Sequence, residues 1–245
     1  MKIIASNFKT NHTRKSTLQF CENLEKFIAK NQTQNQSFPH QIMIFPPQSA
    51  LLENRFKSFQ VGAQNAYPTK NGSYTGEIGL EQLEEFGIQT LLIGHSERRE
   101  ILKESQEFCA EKFRFFSQLG FRICYCIGES QEIKQQGIEV VLEFLESEFE
   151  GINLNSPDLI VAYEPIWAIG SGVSASLEEI TQIHTRLKQK LGKIPLLYGG
   201  SVKPQNVREI LSLNGVDGVL IGSASWEISS FCQILDNSID LRSKE

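Results

Sequence analysis

Short apolar runs punctuate the whole chain, and each is followed by an amphipathic or charged segment. The runs are Ile3 to Ser6, Ile42 to Phe45, Val61 to Ala63, Leu91 to Ile93, Arg122 to Ile127, Leu159 to Tyr163, Pro195 to Tyr198 and Val219 to Ile221. Runs this short, apolar at successive positions, predict strands buried on both faces. Between them, Ser16 to Ala29, Ser105 to Leu119, Ile138 to Phe149, Leu177 to Leu191 and Asn206 to Leu213 set Leu, Ile and Phe at helical spacing opposite polar faces, which predicts helices. Strict alternation of strand and helix implies a parallel sheet of the α/β class, since parallel neighbours need a crossover. Eight units in 245 residues is the size of a closed (β/α)8 barrel, read as a single domain over residues 1–245. A doubly wound sheet is the alternative, but no linker divides the chain and the glycine fingerprint of dinucleotide folds is missing after the first strand.

Composition narrows the function classes. Hydrophobic residues at 40% and charged residues at 22% describe an ordinary globular chain, and the net charge of -5 with dispersed Lys and Arg gives no footprint for nucleic acid or a membrane surface. No stretch approaches the length of a membrane span, and the run at Ile3 to Ala5 is broken by Asn7 and Lys9 too early for a signal peptide, so a cytoplasmic location is expected. Cysteines at 21, 109, 124, 126 and 232 fit reduced thiols. Cys124 and Cys126 face one side of a strand without a His or Cys to complete a metal site, so core packing is their expected role.

Placing the strands places the unusual residues. Asn7 and Lys9 follow the first strand, His95, Ser96 and Glu97 the fourth, Glu164 the sixth, Gly199, Gly200 and Ser201 the seventh, and Gly222 and Ser223 the eighth. All stand at carboxyl ends of strands, the face on which barrels carry chemistry. In LIVAYEPIWAIGSG, Pro165 disfavours α at Glu164, and Gly170 and Gly172 give backbone freedom, so Glu164 reads as a base at the root of a lid. The loops YGGS and IGSAS offer main-chain N–H groups for a phosphate, with Gly170 available from the lid. His95 precedes Ser96, a plausible helix cap, so its ring approaches a positive helix end that disfavours the imidazolium. Lys9 pairs with Glu97 or with an anionic ligand. Taken singly, each has a bland reading: Glu164 as a rim charge, His95 as a satisfied core histidine, Lys9 as a surface charge, the glycines as tight turns. Their convergence from five strands favours chemistry. His12, His40 and His184 are read as structural. A carboxylate base, a neutral electrophile, an ammonium and a phosphate cup are what moving a proton next to a carbonyl requires.

At these residues the chain resembles the triosephosphate isomerase family, from Ile3 to the last helix. The resemblance is carried by NFK at Asn7 to Lys9, AQN at Ala63 to Asn65, SYTGEIG at Ser73 to Gly79, IGHSERR at Ile93 to Arg99, CIGE at Cys126 to Glu129, AYEPIWAIGSG at Ala162 to Gly172 and YGGSV at Tyr198 to Val202. It implies a TIM barrel that interconverts dihydroxyacetone phosphate and D-glyceraldehyde 3-phosphate through an enediolate, in glycolysis and gluconeogenesis. Glu164 would shuttle the proton, His95 would polarise the carbonyl oxygens, and Asn7 and Lys9 would hold the oxyanion with Glu97 orienting the lysine. Gly170, Ser201, Gly222 and Ser223 would bind phosphate through main-chain donors. The lid would comprise Pro165, Ile166, Trp167, Ala168, Ile169, Gly170, Ser171, Gly172, Val173, Ser174 and Ala175, latched by Tyr198. The resemblance also implies a homodimer in which Thr75 enters the partner subunit, with no metal or organic cofactor. Three positions depart from the family pattern: Phe8 where tryptophan is common, Val173-Ser174 where lysine and threonine usually precede the alanine, and Ser223 in a usual Gly-Gly pair. An ordinary negative φ is expected at Ser223, with its hydroxyl capping the next helix.

Two other readings stay open at this level. A barrel with the same phosphate cup could act on larger phosphorylated sugars or indoles, although the short lid suits a small ligand. A non-catalytic phosphate-binding or surface-adhesion protein would have no use for Lys9, His95 and Glu164 together.

Overall fold

The computed structural model describes residues 1–31, 38–169 and 174–239. Eight strands, β1 (Ile3–Asn7), β2 (Gln41–Phe45), β3 (Gln60–Val61), β4 (Thr90–Ile93), β5 (Arg122–Ile127), β6 (Leu159–Tyr163), β7 (Leu196–Tyr198) and β8 (Gly218–Ile221), form one sheet in the order β3-β2-β1-β8-β7-β6-β5-β4. Every pairing in it is parallel. The two outer strands meet at a single bridge between Ala63 and Leu91. Hydrogen bonds of 2.9 Å from Ala63 N–H to Thr90 O and from Leu92 N–H to Ala63 O hold that seam, which closes the (β/α)8 barrel.

The helices are α1 (Arg14–Asn31), α2 (Leu80–Glu85), α3 (Ser96–Glu100), α4 (Gln106–Gln118), α5 (Gln131–Lys134), α6 (Ile138–Ser147), α7 (Leu177–Leu191), α8 (Val207–Ser212) and α9 (Ile228–Ile239). Those read from hydrophobic spacing fall within about two residues of their expected ends. Helix α7 shows why: Ser176 accepts the Glu179 N–H at 3.2 Å while Glu179 returns a bond to Ser176, and Ile180, Ile183, Leu187 and Leu191 form one buried stripe. Helices α2 and α5 span six and four residues, too few turns for a period to register.

Parity along the strands sorts the core in two. Ile3, Ala5, Met43, Phe45, Leu92, Cys124, Cys126, Ile160, Ala162, Leu197 and Leu220 fill the barrel interior. Their neighbours, such as Ile4, Ile44, Leu91, Val161 and Ile221, pack outward with the helices. Continuing the inward parity to the strand ends and just past them gives Asn7 after Ala5, Glu164 after Ala162, Gly199 after Leu197 and Gly222 after Leu220. One polar or small residue thus replaces the next core layer on each of these strands, and this opens a site where packing stops.

Candidate active site

A cavity of about 600 Å³ lies at the carboxyl ends of the strands. Asn7, Lys9, His95, Glu164, Ser201, Gly222 and Ser223 all line it. Glu164 is 3% exposed and His95 5%, so both work shielded from bulk water. His95 Nε2 is 3.1 Å from Glu164 Oε1, and the Ser96 backbone N–H donates to Glu164 Oε2 at 3.3 Å. Burial pushes the Glu164 carboxyl upward, but His95, the Ser96 N–H and Lys9 together hold it below the usual glutamate value, so the group stays an ionised base.

His95 itself caps α3: its Nδ1 accepts the Glu97 N–H at 3.2 Å. This corrects the expectation that Ser96 is the cap, and it fixes the tautomer. With Nδ1 serving as acceptor, the ring proton belongs on Nε2, aimed at the cavity. Burial pushes the ring's pKa down, while Glu164 and Glu97 more than offset it and raise the value. The expectation that the helix end disfavours the imidazolium is thus opposed by the pull of Glu164, which sequence alone did not reveal. A second proton would have to occupy Nδ1, where the Glu97 N–H already donates, so the neutral Nε2–H form is the one that keeps both contacts.

Lys9 adopts φ 51, in the left-handed region that non-glycine residues avoid. Its Nζ stands 2.6 Å from Glu97 Oε1, its N–H donates to Asn7 Oδ1 at 2.9 Å, and Gln64 Nε2 donates to its carbonyl at 2.9 Å. Gly94, at φ 77, brings β4 to His95, and a Cβ there would lie 2.8 Å from Arg99 Nη2. Arg99 donates to Gly94 O at 2.8 Å and pairs with Glu148 at 3.3 Å, and Glu148 accepts the Gly128 N–H at 2.7 Å. A Cβ on Gly128 would lie 1.9 Å from the Glu164 carbonyl oxygen. The Arg99–Glu148 pair thereby supports the strand ends that present His95 and Glu164. Burial pushes the Glu148 carboxyl up to about 7, against the opposing pull of Arg99.

The root of the expected lid is described from Pro165 to Ile169 and from Ser174 to Ala175; Gly170, Ser171, Gly172 and Val173 lie outside the described residues. Ile166–Ala168 forms a single tight turn. Trp167 Nε1 donates to Glu129 Oε1 at 2.7 Å, Tyr163 OH donates to the same oxygen at 3.1 Å, and Lys134 Nζ sits 3.2 Å from the centre of the Trp167 ring. Lys134 also reaches Glu179 Oε1 at 2.8 Å, which ties the lid's first residues to the start of α7. Glu129 stands out in sequence only within the CIGE motif, yet as a carboxylate just past β5 it meets the same strand-end criterion as Glu164. Tyr198 is fully buried on β7.

Ser223 opens a short turn, Ser223–Ser225, and does not have a positive φ. Its side chain is exposed, and the hydroxyl that ties this corner together is that of Ser225, bonded to Gly222 O at 2.7 Å and to Ser6 Oγ at 2.6 Å. The next helix begins only at Ile228, so the expected capping by Ser223 is not observed. His12, His40 and His184 all bond to main chain, at Trp226 O, Ser238 O and Gly215 O respectively. Thr75 is exposed in the loop between β3 and α2. Among the described residues, no group of three His, Cys, Asp or Glu side chains is arranged to hold a metal ion, and no helix is long and apolar enough to cross a membrane.

Fold and site together define a (β/α)8-barrel isomerase, with a buried carboxylate, an imidazole N–H and an ammonium facing one cavity. A family model described as triosephosphate isomerase matches residues 2–238. The triosephosphate isomerase of Wolinella succinogenes is 56% identical over 234 residues, covering 95% of this chain and 98% of that protein. That of Sulfurovum sp. is 53% identical over 95% of this chain and 99% of its own length, and that of Helicobacter hepaticus 51% over 96% and 98%. The chain belongs to the triosephosphate isomerase family.

Proposed function

We propose that the isomerisation of dihydroxyacetone phosphate to D-glyceraldehyde 3-phosphate, the step its family contributes to glycolysis, is carried out by Glu164, His95, Lys9, Asn7 and Glu97. Glu164 takes a proton from the carbon beside the carbonyl and returns it to the neighbouring carbon. The His95 Nε2–H donates to the two substrate oxygens in turn, and the Lys9 ammonium and Asn7 amide stabilise the enediolate charge. Glu97 holds Lys9 in place. Protonation of Glu164 during turnover removes the charge that raises the His95 pKa, which keeps the imidazole neutral when it must donate. Main-chain donors at Ser201, Gly222 and Ser223, with Gly170 from the lid, take the phosphate, and the segment Pro165 to Ala175 closes over it to protect the intermediate. The observation that carries this reading is the 3.1 Å approach of His95 Nε2 to Glu164 Oε1 in one cavity with Lys9. Incubation of dihydroxyacetone phosphate with the protein in deuterated water tests it. Solvent deuterium should enter at the former carbonyl carbon of the aldehyde product, and at the hydroxymethyl carbon of recovered dihydroxyacetone phosphate; product with no deuterium would point to hydride transfer and remove Glu164 from its role.

The same reading takes residues 1–245 as one catalytic domain, acting in the cytoplasm as a homodimer. The five unpaired thiols suit a reducing compartment. For the dimer, a second cavity of about 510 Å³ lies beside the first, lined by Lys9, Gln64, Glu97 and the exposed apolar residues Ile101 and Leu102. Ile101 is 71% exposed and Leu102 59%, and the loop between β3 and α2 exposes Tyr74 and Thr75. Insertion of the partner subunit's Thr75 there would cover this apolar patch.

A further inference from the structure

Two of the three non-glycine residues with positive φ among the described residues, Lys9 at 51° and His12 at 77°, fall in one turn after β1. A turn with two such residues has to be held by its surroundings. Trp226, just beyond the phosphate corner, holds both of its ends. The indole Nε1–H donates to Asn7 O at 3.2 Å, and the Trp226 carbonyl accepts from His12 Nε2 at 2.9 Å. His12 in turn packs against Phe8, ring centres 4.4 Å apart. The corner is anchored too, because the Trp226 N–H donates to Ser223 O at 3.2 Å and Ser225 Oγ bonds to Gly222 O. The half-buried Trp226 ring lines both the substrate cavity and the neighbouring one.

We propose that Trp226 is a positioning residue for the isomerase reaction: it clasps the Asn7–His12 turn at both ends and fixes Lys9 in register with the phosphate corner at Gly222 and Ser223. This rests on the assignment of Lys9 to the developing oxyanion. The bonds of Trp226 go to Asn7 O, His12 Nε2 and Ser223 O rather than to the side chains of Lys9, His95 or Glu164, so its effect passes through Lys9 and Asn7. Loss of the indole N–H frees the Asn7 carbonyl and lets the ammonium drift, while the phosphate donors, which belong to a different turn, stay in place. Turnover should therefore fall more than phosphate binding does.

Trp226→Phe keeps an aromatic body without the donor, and Trp226→Leu removes both. Each is measured for kcat, KM, inhibition by inorganic phosphate and thermal midpoint, with Lys9→Met assayed alongside. The expected result is a loss of about tenfold in kcat for both variants, with the phosphate inhibition constant within about threefold and assays run well below each midpoint, since small displacements of a charged group cost turnover at that scale. A Trp226→Phe enzyme with kcat within about twofold of the parent would overturn the proposal, as would a loss that tracks only the fall in thermal midpoint. An active Lys9→Met enzyme would sink the reading of Lys9 itself. An inactive Lys9→Met beside an unimpaired Trp226→Phe would leave that reading standing and refute the clasp alone.

Discussion

Glu164 and Ser96, 68 residues apart in sequence, meet through a single hydrogen bond: the Ser96 N–H donates to Glu164 Oε2 at 3.3 Å. The N-terminal turn of α3 thus serves both Glu164 and His95, since the next N–H along it, that of Glu97, donates to His95. Replacing Glu164 by Gln should keep this contact through the amide oxygen but remove the base. We expect a loss of roughly 10³-fold or more in turnover with an unchanged circular dichroism spectrum. Activity within about tenfold of the parent would refute the assignment.

Ser223 should tolerate change. Its hydroxyl is exposed and caps no helix, so Ser223→Ala and Ser223→Gly should both leave kcat and KM within about threefold. Ser223→Gly should lower stability by no more than about 1 kcal/mol, through the freedom glycine adds to the unfolded chain. A tenfold rise in KM for both variants would show that the hydroxyl, not the main chain, binds phosphate.

Dimerisation can be tested at Thr75. Sedimentation at micromolar concentration should give the dimer for the parent chain. Thr75→Arg, which would bring a second positive charge to the partner subunit's Lys9, should shift it to monomer and lower specific activity on dilution. A parent chain that is monomeric and fully active would discard the homodimer.

His184 supplies a pH dependence with a definite sign. The ring is fully buried, and burial pushes its pKa down to about 4. Between there and the ordinary value near 6.5 the unfolded chain binds a proton that the folded chain does not, so this residue makes stability fall as pH drops through that window. Nδ1 donates to Gly215 O at 3.1 Å, which suits the neutral ring. The ring proton resonances of His184 should stay fixed from pH 7 to about 5. Titration of His184 near 6.5 would contradict the burial argument.

Much of this was legible because the barrel repeats one rule. Runs such as Leu159 to Tyr163 are apolar throughout because alternate residues face the interior and the helices, and Glu164 stood out as the carboxylate that ends such a run, just before Pro165 and a glycine-punctuated loop. What escaped was set by contacts with no local signature. Arg99 and Glu148 lie 49 positions apart and sit on helical segments whose spacing cannot announce a buried pair. The pull of Glu164 on His95 depends on a rotamer, and Trp226 reads in sequence as one more apolar residue after a turn.

The seam of the sheet joins two of these themes. Ala63 and Leu91 carry the closure of the barrel with two hydrogen bonds, and the loop that carries Thr75 springs from the strand on one side of that seam and leads through α2 to the strand on the other. A partner that grips the loop would therefore act as a hoop around the staves at their least fastened joint. Subunit separation would then first be felt as faster amide exchange at Ala63 and Leu92, before any other rung of the barrel loosens.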